Sequence, residues 1–271
     1  MIKTLLFTTV AAVALASGAR AADLPVFEEV APVVAPTPSF AWTGFYAGVH
    51  GGYSFGDNDD NFVEFDTDGD GFDDTVFTAG GANAFSPGFE SGFDDGVNVG
   101  GRLGYDWQFG GFVLGAVVDA SYVDIEDNTT AFSVTPAFYS FDRELDYLVT
   151  GRLRAGLAFD RFLAYATGGF AYGGVDHEFS TNSPSVLVSV SVSDADDDAW
   201  GYTVGAGVEG LLTSNVSIGA EYLYTDLDVD TQTARFSGGA FGAGTDMRPE
   251  DDEFDFHTVR ATLSYRFNSG M

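Results

Sequence analysis

The segment Phe256-His257-Thr258-Val259-Arg260-Ala261-Thr262-Leu263-Ser264-Tyr265-Arg266-Phe267 constrains this chain more than any other. His257, Val259, Ala261, Leu263, Tyr265 and Phe267 share one parity, and all but His257 are apolar. Thr258, Arg260, Thr262, Ser264 and Arg266 hold the other. A period of two places these rows on opposite faces of a β-strand. A dry core rejects arginine unless it is paired. The strand therefore divides two environments, and its apolar row meets something oily.

The same alternation recurs upstream. Strand one, from Thr43, sets Phe45, Ala47, Val49, Tyr53 and Phe55 against Tyr46, His50 and Ser54. Strand two, Val97 to Phe109, opposes Val97, Val99, Leu103, Tyr105, Trp107 and Phe109 to Asn98, Arg102, Asp106 and Gln108. Gly110-Gly111 permits a tight reversal into strand three, where Leu114, Ala116, Val118, Ala120 and Tyr122 back onto Asp119 and Ser121. Strand four places Tyr147, Val149, Leu153, Ala155, Leu157 and Phe159 against Thr150, Arg152 and Arg154. Asp160-Arg161 turns it into strand five, Phe162 to Tyr172, whose small residues on both parities leave its facing open. Strand six opposes Trp200, Tyr202, Val204, Ala206 and Val208 to Thr203 and Glu209; Thr213-Ser214-Asn215 leads to strand seven, with Val216, Ile218, Ala220, Tyr222 and Tyr224 against Ser217 and Glu221. The segment at 256–267 is strand eight.

Short turns alternate with long polar connections at Asp57 to Asp95, Asp124 to Glu144, Gly173 to Ala199 and Asp226 to Asp255. An even-numbered meander of this kind is the layout of an all-β, eight-stranded, antiparallel up-and-down transmembrane β-barrel, with short periplasmic turns, four long acidic extracellular loops and both ends of the barrel segment periplasmic. Trp107, Phe109, Phe112, Phe159, Phe162, Tyr265 and Phe267 lie near strand ends, where an interfacial girdle sits. The leader agrees with export. Lys3, the apolar run from Leu5 to Ala16 and Ala19-Arg20-Ala21 read as a signal peptide cleaved after Ala21. The expected organisation is signal 1–21, a proline-rich periplasmic linker 22–41, barrel 42–267 and tail 268–271.

The chain has no cysteine, so stability must come from packing or sheet closure rather than disulfides. After the leader, nine arginines and no lysine face 41 acids. Such a surface repels nucleic acid and attracts cations.

The leader ending Ala21-Ala22-Asp23-Leu24-Pro25, the Trp42-Thr43-Gly44-Phe45-Tyr46 entry, Ala166-Thr167-Gly168-Gly169, Val204-Gly205-Ala206-Gly207-Val208-Glu209 with Glu221-Tyr222-Leu223-Tyr224, and the closing Tyr265-Arg266-Phe267 carry a resemblance. Together they resemble the OmpA-like porin-family β-barrels of alphaproteobacteria, the branch called outer-membrane immunogenic or haemin-binding proteins. The resemblance implies an eight-stranded barrel in the outer membrane of a Gram-negative bacterium. It leaves open structural, antigenic, haem-binding and narrow-porin roles. It also implies that Val259, Leu263, Tyr265 and Phe267 form the C-terminal signal read by the barrel-assembly machinery.

The inward rows hold Arg102, Arg152, Arg154, Arg260 and Arg266, with Asp106, Asp119, Glu209 and Glu221 as partners. An eight-stranded barrel is just wide enough for side chains to fill. These nine residues are expected to form an ion network closing the lumen; the alternative is a charged constriction in a narrow porin. The first long connection carries Asp66-Thr67-Asp68-Gly69-Asp70-Gly71-Phe72-Asp73-Asp74. Alternating carboxylates followed by glycine aim hard oxygens at one Ca²⁺, so Asp66, Asp68, Asp70, Asp73 and Asp74 are candidate ligands. Phe77 stands where an EF-hand places its bidentate acid. The runs Asp196-Asp197-Asp198 and Glu250-Asp251-Asp252-Glu253 offer further charge for divalent cations bridging to lipopolysaccharide. His177 or a loop tyrosine is a haem candidate by resemblance alone. No GxSxG marks a nucleophile, and the GxG repeats precede no helix. The expected product is a monomeric structural barrel in outer-membrane lipid, not an enzyme.

Overall fold

The computed structural model describes residues 40–56, 62–72, 74, 76–79, 81–135, 137–183, 189–193, 198–250 and 253–267. The signal segment, most of the linker, Asp73 and the 268–271 tail lie outside them. Eight long strands build the wall: β1 (Gly44–Phe55), β2 (Gly96–Phe109), β3 (Phe112–Phe132), β4 (Phe138–Phe159), β5 (Phe162–Thr181), β6 (Asp198–Leu211), β7 (Val216–Asp228) and β8 (Glu253–Phe267). Each pairs antiparallel with its sequence neighbours, and β8 returns to β1 with Phe45 opposite Phe267 and Phe55 opposite His257. Closure of these eight strands leaves no free edge at membrane depth, which satisfies the wall's backbone groups in lipid; a further strand, Gly88–Asp94, pairs with the outer part of β3 beyond the ring.

The turns at the closing end are tight. Gly110 adopts φ 63, and Asp160 adopts φ 54, a left-handed conformation that aspartate tolerates better than most residues. In the third turn, Thr213 Oγ1 accepts the Asn215 and Val216 amides, and Asn215 Nδ2 donates to the Arg266 carbonyl at 2.8 Å.

The parity reading holds around the ring. Phe45, Leu103, Val118, Leu153, Val208, Tyr222 and Leu263 face outward and are exposed, while Tyr46, His50, Asn98, Ser121, Thr150, Thr203 and Ser217 are buried inside. The open facing of strand five is settled: Leu163, Tyr165 and Thr167 point in, and Phe162 and Phe170 point out. The seven aromatic girdle residues lie outward at the turn end. A second belt, including Tyr122, Tyr147, Trp200, Tyr202, Tyr222 and His257, marks the other rim. From Phe45 to Phe55 the strand makes ten steps of about 3.3 Å, and a tilt near 40° reduces this to about 25 Å, the height of an outer-membrane apolar band.

The wall does not stop at that second belt. Asp124 to Glu144, expected to be a loop, continues as the β3–β4 hairpin, and β5 runs on through His177 to Thr181. The physical reason is an inverted alternation. Val123, Ile125, Leu145, Val175, Leu227, Phe254 and Phe256 now face inward and pack together, while Asp124, Asp176 and Glu178 face water. The remaining connections also order themselves: strands Ser189–Val192, Ala234–Ser237, Thr245–Pro249 and Val63–Asp66 form a four-stranded sheet. Its apolar side joins Phe65, Phe77, Phe85, Tyr139, Phe236 and Phe241 in one cluster. The Phe77–Phe241 and Phe236–Phe241 rings stack at 5.1 and 5.0 Å.

Candidate functional site: the ion-paired lumen

All nine charged residues assigned to the lumen are buried inside the barrel, none more than 3 % exposed. Closure sorts eight of them into two quartets, each of two arginines and two carboxylates.

In the quartet nearer the turns, Arg154 Nε donates to Asp106 Oδ1 at 2.8 Å, its Nη2 pairs with Asp106 Oδ2, and its Nη1 donates to Glu209 Oε1 at 2.7 Å. Arg266 Nη1 donates to Asp106 Oδ2 at 2.8 Å, and Nη2 reaches Glu209 Oε2 at 3.3 Å. Aromatic faces line this quartet. The Arg154 guanidinium lies 4.8 Å from the Tyr46 ring centre and 5.0 Å from that of Tyr165. Arg266 lies 4.5 Å from Trp42 and donates to its carbonyl at 2.8 Å. A guanidinium suits such a site because its plane stacks while its edge makes forked hydrogen bonds.

In the second quartet, Arg152 Nη2 donates to Asp119 Oδ2 at 2.6 Å and Nη1 to Glu221 Oε1 at 3.1 Å. Arg260 Nη1 donates to Asp119 Oδ1 at 2.9 Å and Nε to Glu221 Oε2 at 2.8 Å. Tyr165 donates to Glu221 Oε1 at 3.0 Å. Arg102 joins neither quartet; its nearest carboxylate oxygen, Glu209 Oε1, is 3.7 Å away.

Glycines make the room. A Cβ on Gly115 would sit 2.1 Å from Asp106 Oδ1, and one on Gly207 would sit 2.6 Å from the Tyr165 hydroxyl. Apolar layers bracket the network. Trp42, Val113, Leu163 and Leu211 cluster on the turn side, and the Val123–Ile125–Leu145–Phe256 group fills the other.

Two residues of the site were not assigned to it from the sequence. Trp42 precedes the first strand, although its parity with Tyr46 pointed inward. Tyr165 sits in the strand whose small residues obscured the alternation.

The acidic loop is partly assembled. Ligand oxygens of Asp66, Asp68 and Asp70 lie within 4.8 Å of one another, and the Gly69 amide donates to Asp66 Oδ1 at 2.6 Å. Asp74 is engaged elsewhere, accepting from the Thr67 amide at 3.2 Å and hydroxyl at 2.5 Å. His177 lies in β5 opposite Arg143 rather than in a loop. The cavity it lines with Phe141, Arg143 and Gln232 is only about 10 Å³, too small for a macrocycle as it stands. Val259, Leu263, Tyr265 and Phe267 form one outward, exposed row on β8.

A closed antiparallel ring, apolar outside, ion-paired inside and belted by aromatics at both rims, defines a transmembrane β-barrel of the outer-membrane type. The family model described as an outer membrane protein beta-barrel domain matches residues 8–267, and the chain belongs to that family. It is 31% identical over 267 residues to the 31 kDa outer-membrane immunogenic protein of Brucella melitensis, covering 98% of this chain and 100% of that protein. It is 33% identical over 207 residues to a 22 kDa outer membrane protein of Rhizobium leguminosarum bv. viciae, covering 74% of each. Among solved structures, the Escherichia coli outer membrane protease OmpT aligns over 86% of this chain and 99% of that chain at 12% identity, with a TM-score of 0.36. The protein is an outer-membrane protein of the Gram-negative envelope.

Proposed function

We propose that the protein is a structural barrel: a closed plug of the outer membrane that carries an ordered acidic cap. The observation that supports this reading is the lumen, where two hydrogen-bonded arginine–carboxylate quartets lie between apolar layers. Conduction requires continuous water. The buried pairs oppose it because separating either partner leaves an uncompensated charge. Planar-bilayer recording of the refolded protein tests the reading. Bilayers are expected to stay silent, and steady single-channel steps would favour the narrow-porin alternative.

A second reading concerns the first outer connection, where Asp66, Asp68 and Asp70 converge. These carboxylates suit Ca²⁺, and extracellular sites of this chemistry bind at roughly 10⁻⁴–10⁻³ M. Calorimetric titration with Ca²⁺ should give heat that Asp68→Ala and Asp70→Ala both abolish; no heat in the parent protein removes the site. The outward row ending at Phe267 serves assembly in this scheme. Phe267→Ser should lower outer-membrane levels, whereas removing residues 268–271 should not.

A further inference from the structure

We propose that the lumen holds one small monovalent anion, of chloride's size and charge, on Arg102. Among the described residues the network at membrane depth contains five guanidinium groups and four carboxylates. Each quartet is neutral by itself, so the surplus falls on Arg102. Arginine stays protonated in proteins, so the surplus cannot be removed by losing a proton.

Geometry places the same residue outside the hydrogen-bond network. The Arg102 side chain is fully buried, and its Nε, Nη1 and Nη2 donate to no protein acceptor. Glu209 Oε1, at 3.7 Å, already accepts from Arg154 at 2.7 Å. Asp119 is the cross-strand partner of Arg102 in the β2–β3 register, but its carboxylate is held by Arg152 and Arg260. A fully buried cation with no acceptor is what the rest of this lumen avoids.

Spare hydroxyl donors share this level of the lumen. The Tyr46 ring centre lies 5.6 Å from the Arg102 guanidinium, and the buried Tyr46 hydroxyl has no protein partner. Ser264 Oγ, also buried and without a partner, lies 2.4 Å from where a Cβ on Gly48 would stand; Gly48 is the cross-strand neighbour of both Arg102 and Ser264. A guanidinium beside O–H donors is the chemistry of an anion site: a water molecule would supply an acceptor but leave the charge uncompensated. The apolar layers at both ends favour a small ion trapped as the barrel closes over a larger solute. The proposal rests on the closed-lumen reading for the trapping of the ion, though not for its binding at Arg102.

Bromide is the probe. Crystals of the refolded protein grown in bromide should show one anomalous peak within hydrogen-bond distance of the Arg102 guanidinium. In solution, raising halide tenfold at constant ionic strength, with gluconate as the balancing anion, should lower the unfolding equilibrium constant by up to about tenfold once the site is occupied. Arg102→Leu should abolish that dependence; Arg102→Gln replaces it if the leucine variant does not refold. The overturning result needs only the parent protein: no halide peak at Arg102 and identical unfolding in bromide and gluconate. Recording conductance on the same sample separates the two readings. A silent barrel without bromide removes the anion alone, whereas a conducting barrel with bromide at Arg102 removes closure and keeps the site.

Discussion

The membrane section and the outer section of this wall are made by the same strands with opposite polarity. In β3, Leu114, Ala116, Val118, Ala120 and Tyr122 point outward, backed by Asp119 and Ser121 inside; two residues later Asp124 points outward and Val123 and Ile125 fill the interior. β8 repeats the inversion, with Phe254 and Phe256 inside above Thr258 and Arg260. In β3 and β8 the pleat is unchanged through the switch and only the surroundings change, from lipid to water; in β4 a register shift beside Asp146 moves the inward row from Leu148 and Thr150 to Leu145 and Arg143. A strand's facing is fixed by period, whereas the sign of its alternation reports the solvent.

The largest effect should come from opening a quartet. Glu221→Leu leaves Arg152 and Arg260 sharing Asp119 alone, and is expected to cost about 3–5 kcal/mol in urea unfolding of the refolded barrel. A loss under 1 kcal/mol would mean the network is not structural. Phe236→Ala, in the outer aromatic cluster, should cost a comparable 3–5 kcal/mol, but within the cap. Limited proteolysis should then cut the outer connections while the boiling-dependent gel shift of the barrel persists; loss of that shift would make the two sections one cooperative unit. Leu153→Arg puts a charge on the lipid face and should cost about 2–4 kcal/mol near mid-bilayer. The matched Asp176→Arg, exposed on the outer section, should stay within about 0.5 kcal/mol. Equal costs would break the assignment of lipid and water levels.

The smallest effect is with pH. Partial burial, then the charges of Asp142, Asp94, Glu144 and Glu178, pushes the Glu126 carboxyl up; burial and Glu178 do the same to Asp142, against a hydrogen bond from Ser140. An acid whose folded-state value is raised binds its proton more tightly when folded, so a penalty appears as pH rises from the ordinary carboxylate value through the raised one. The β3–β4 outer hairpin should therefore be firmer at mildly acidic than at neutral pH. Hydrogen exchange of residues 126–142, corrected for its intrinsic pH dependence, checks this. Glu126→Gln should flatten the difference, and stronger protection at neutral pH would reverse the argument.

Much of the site was legible because inward and outward residues alternate without exception through the membrane section. That rule placed Arg102, Asp106, Asp119, Arg152, Arg154, Glu209, Glu221, Arg260 and Arg266 inside. It failed in two ways. Strand five, with alanine and glycine on both parities, carried too little contrast to show that Tyr165 reaches the lumen. The outer hairpin resembles a loop in sequence because its acids, facing water, outweigh Val123, Ile125 and Leu145 on the hidden side. In the acidic connection, spacing brought Asp66, Asp68 and Asp70 together, but Thr67 competes for Asp74 through local hydrogen bonds that spacing does not express.

By itself, the sequence determined the eight wall strands, the facing of all but strand five and the presence of a charged interior, because each follows from a period of two read within one strand. Which charge meets which was decided only by the closed sheet. Arg266 and Asp106 stand 160 residues apart, and Arg260 and Asp119 stand 141 apart. Their meeting depends on the register of eight strands and on the single stagger that lets β8 rejoin β1. Ring closure is a property of all the strands at once, and it is also what left Arg102 as the one guanidinium of the lumen network outside both quartets.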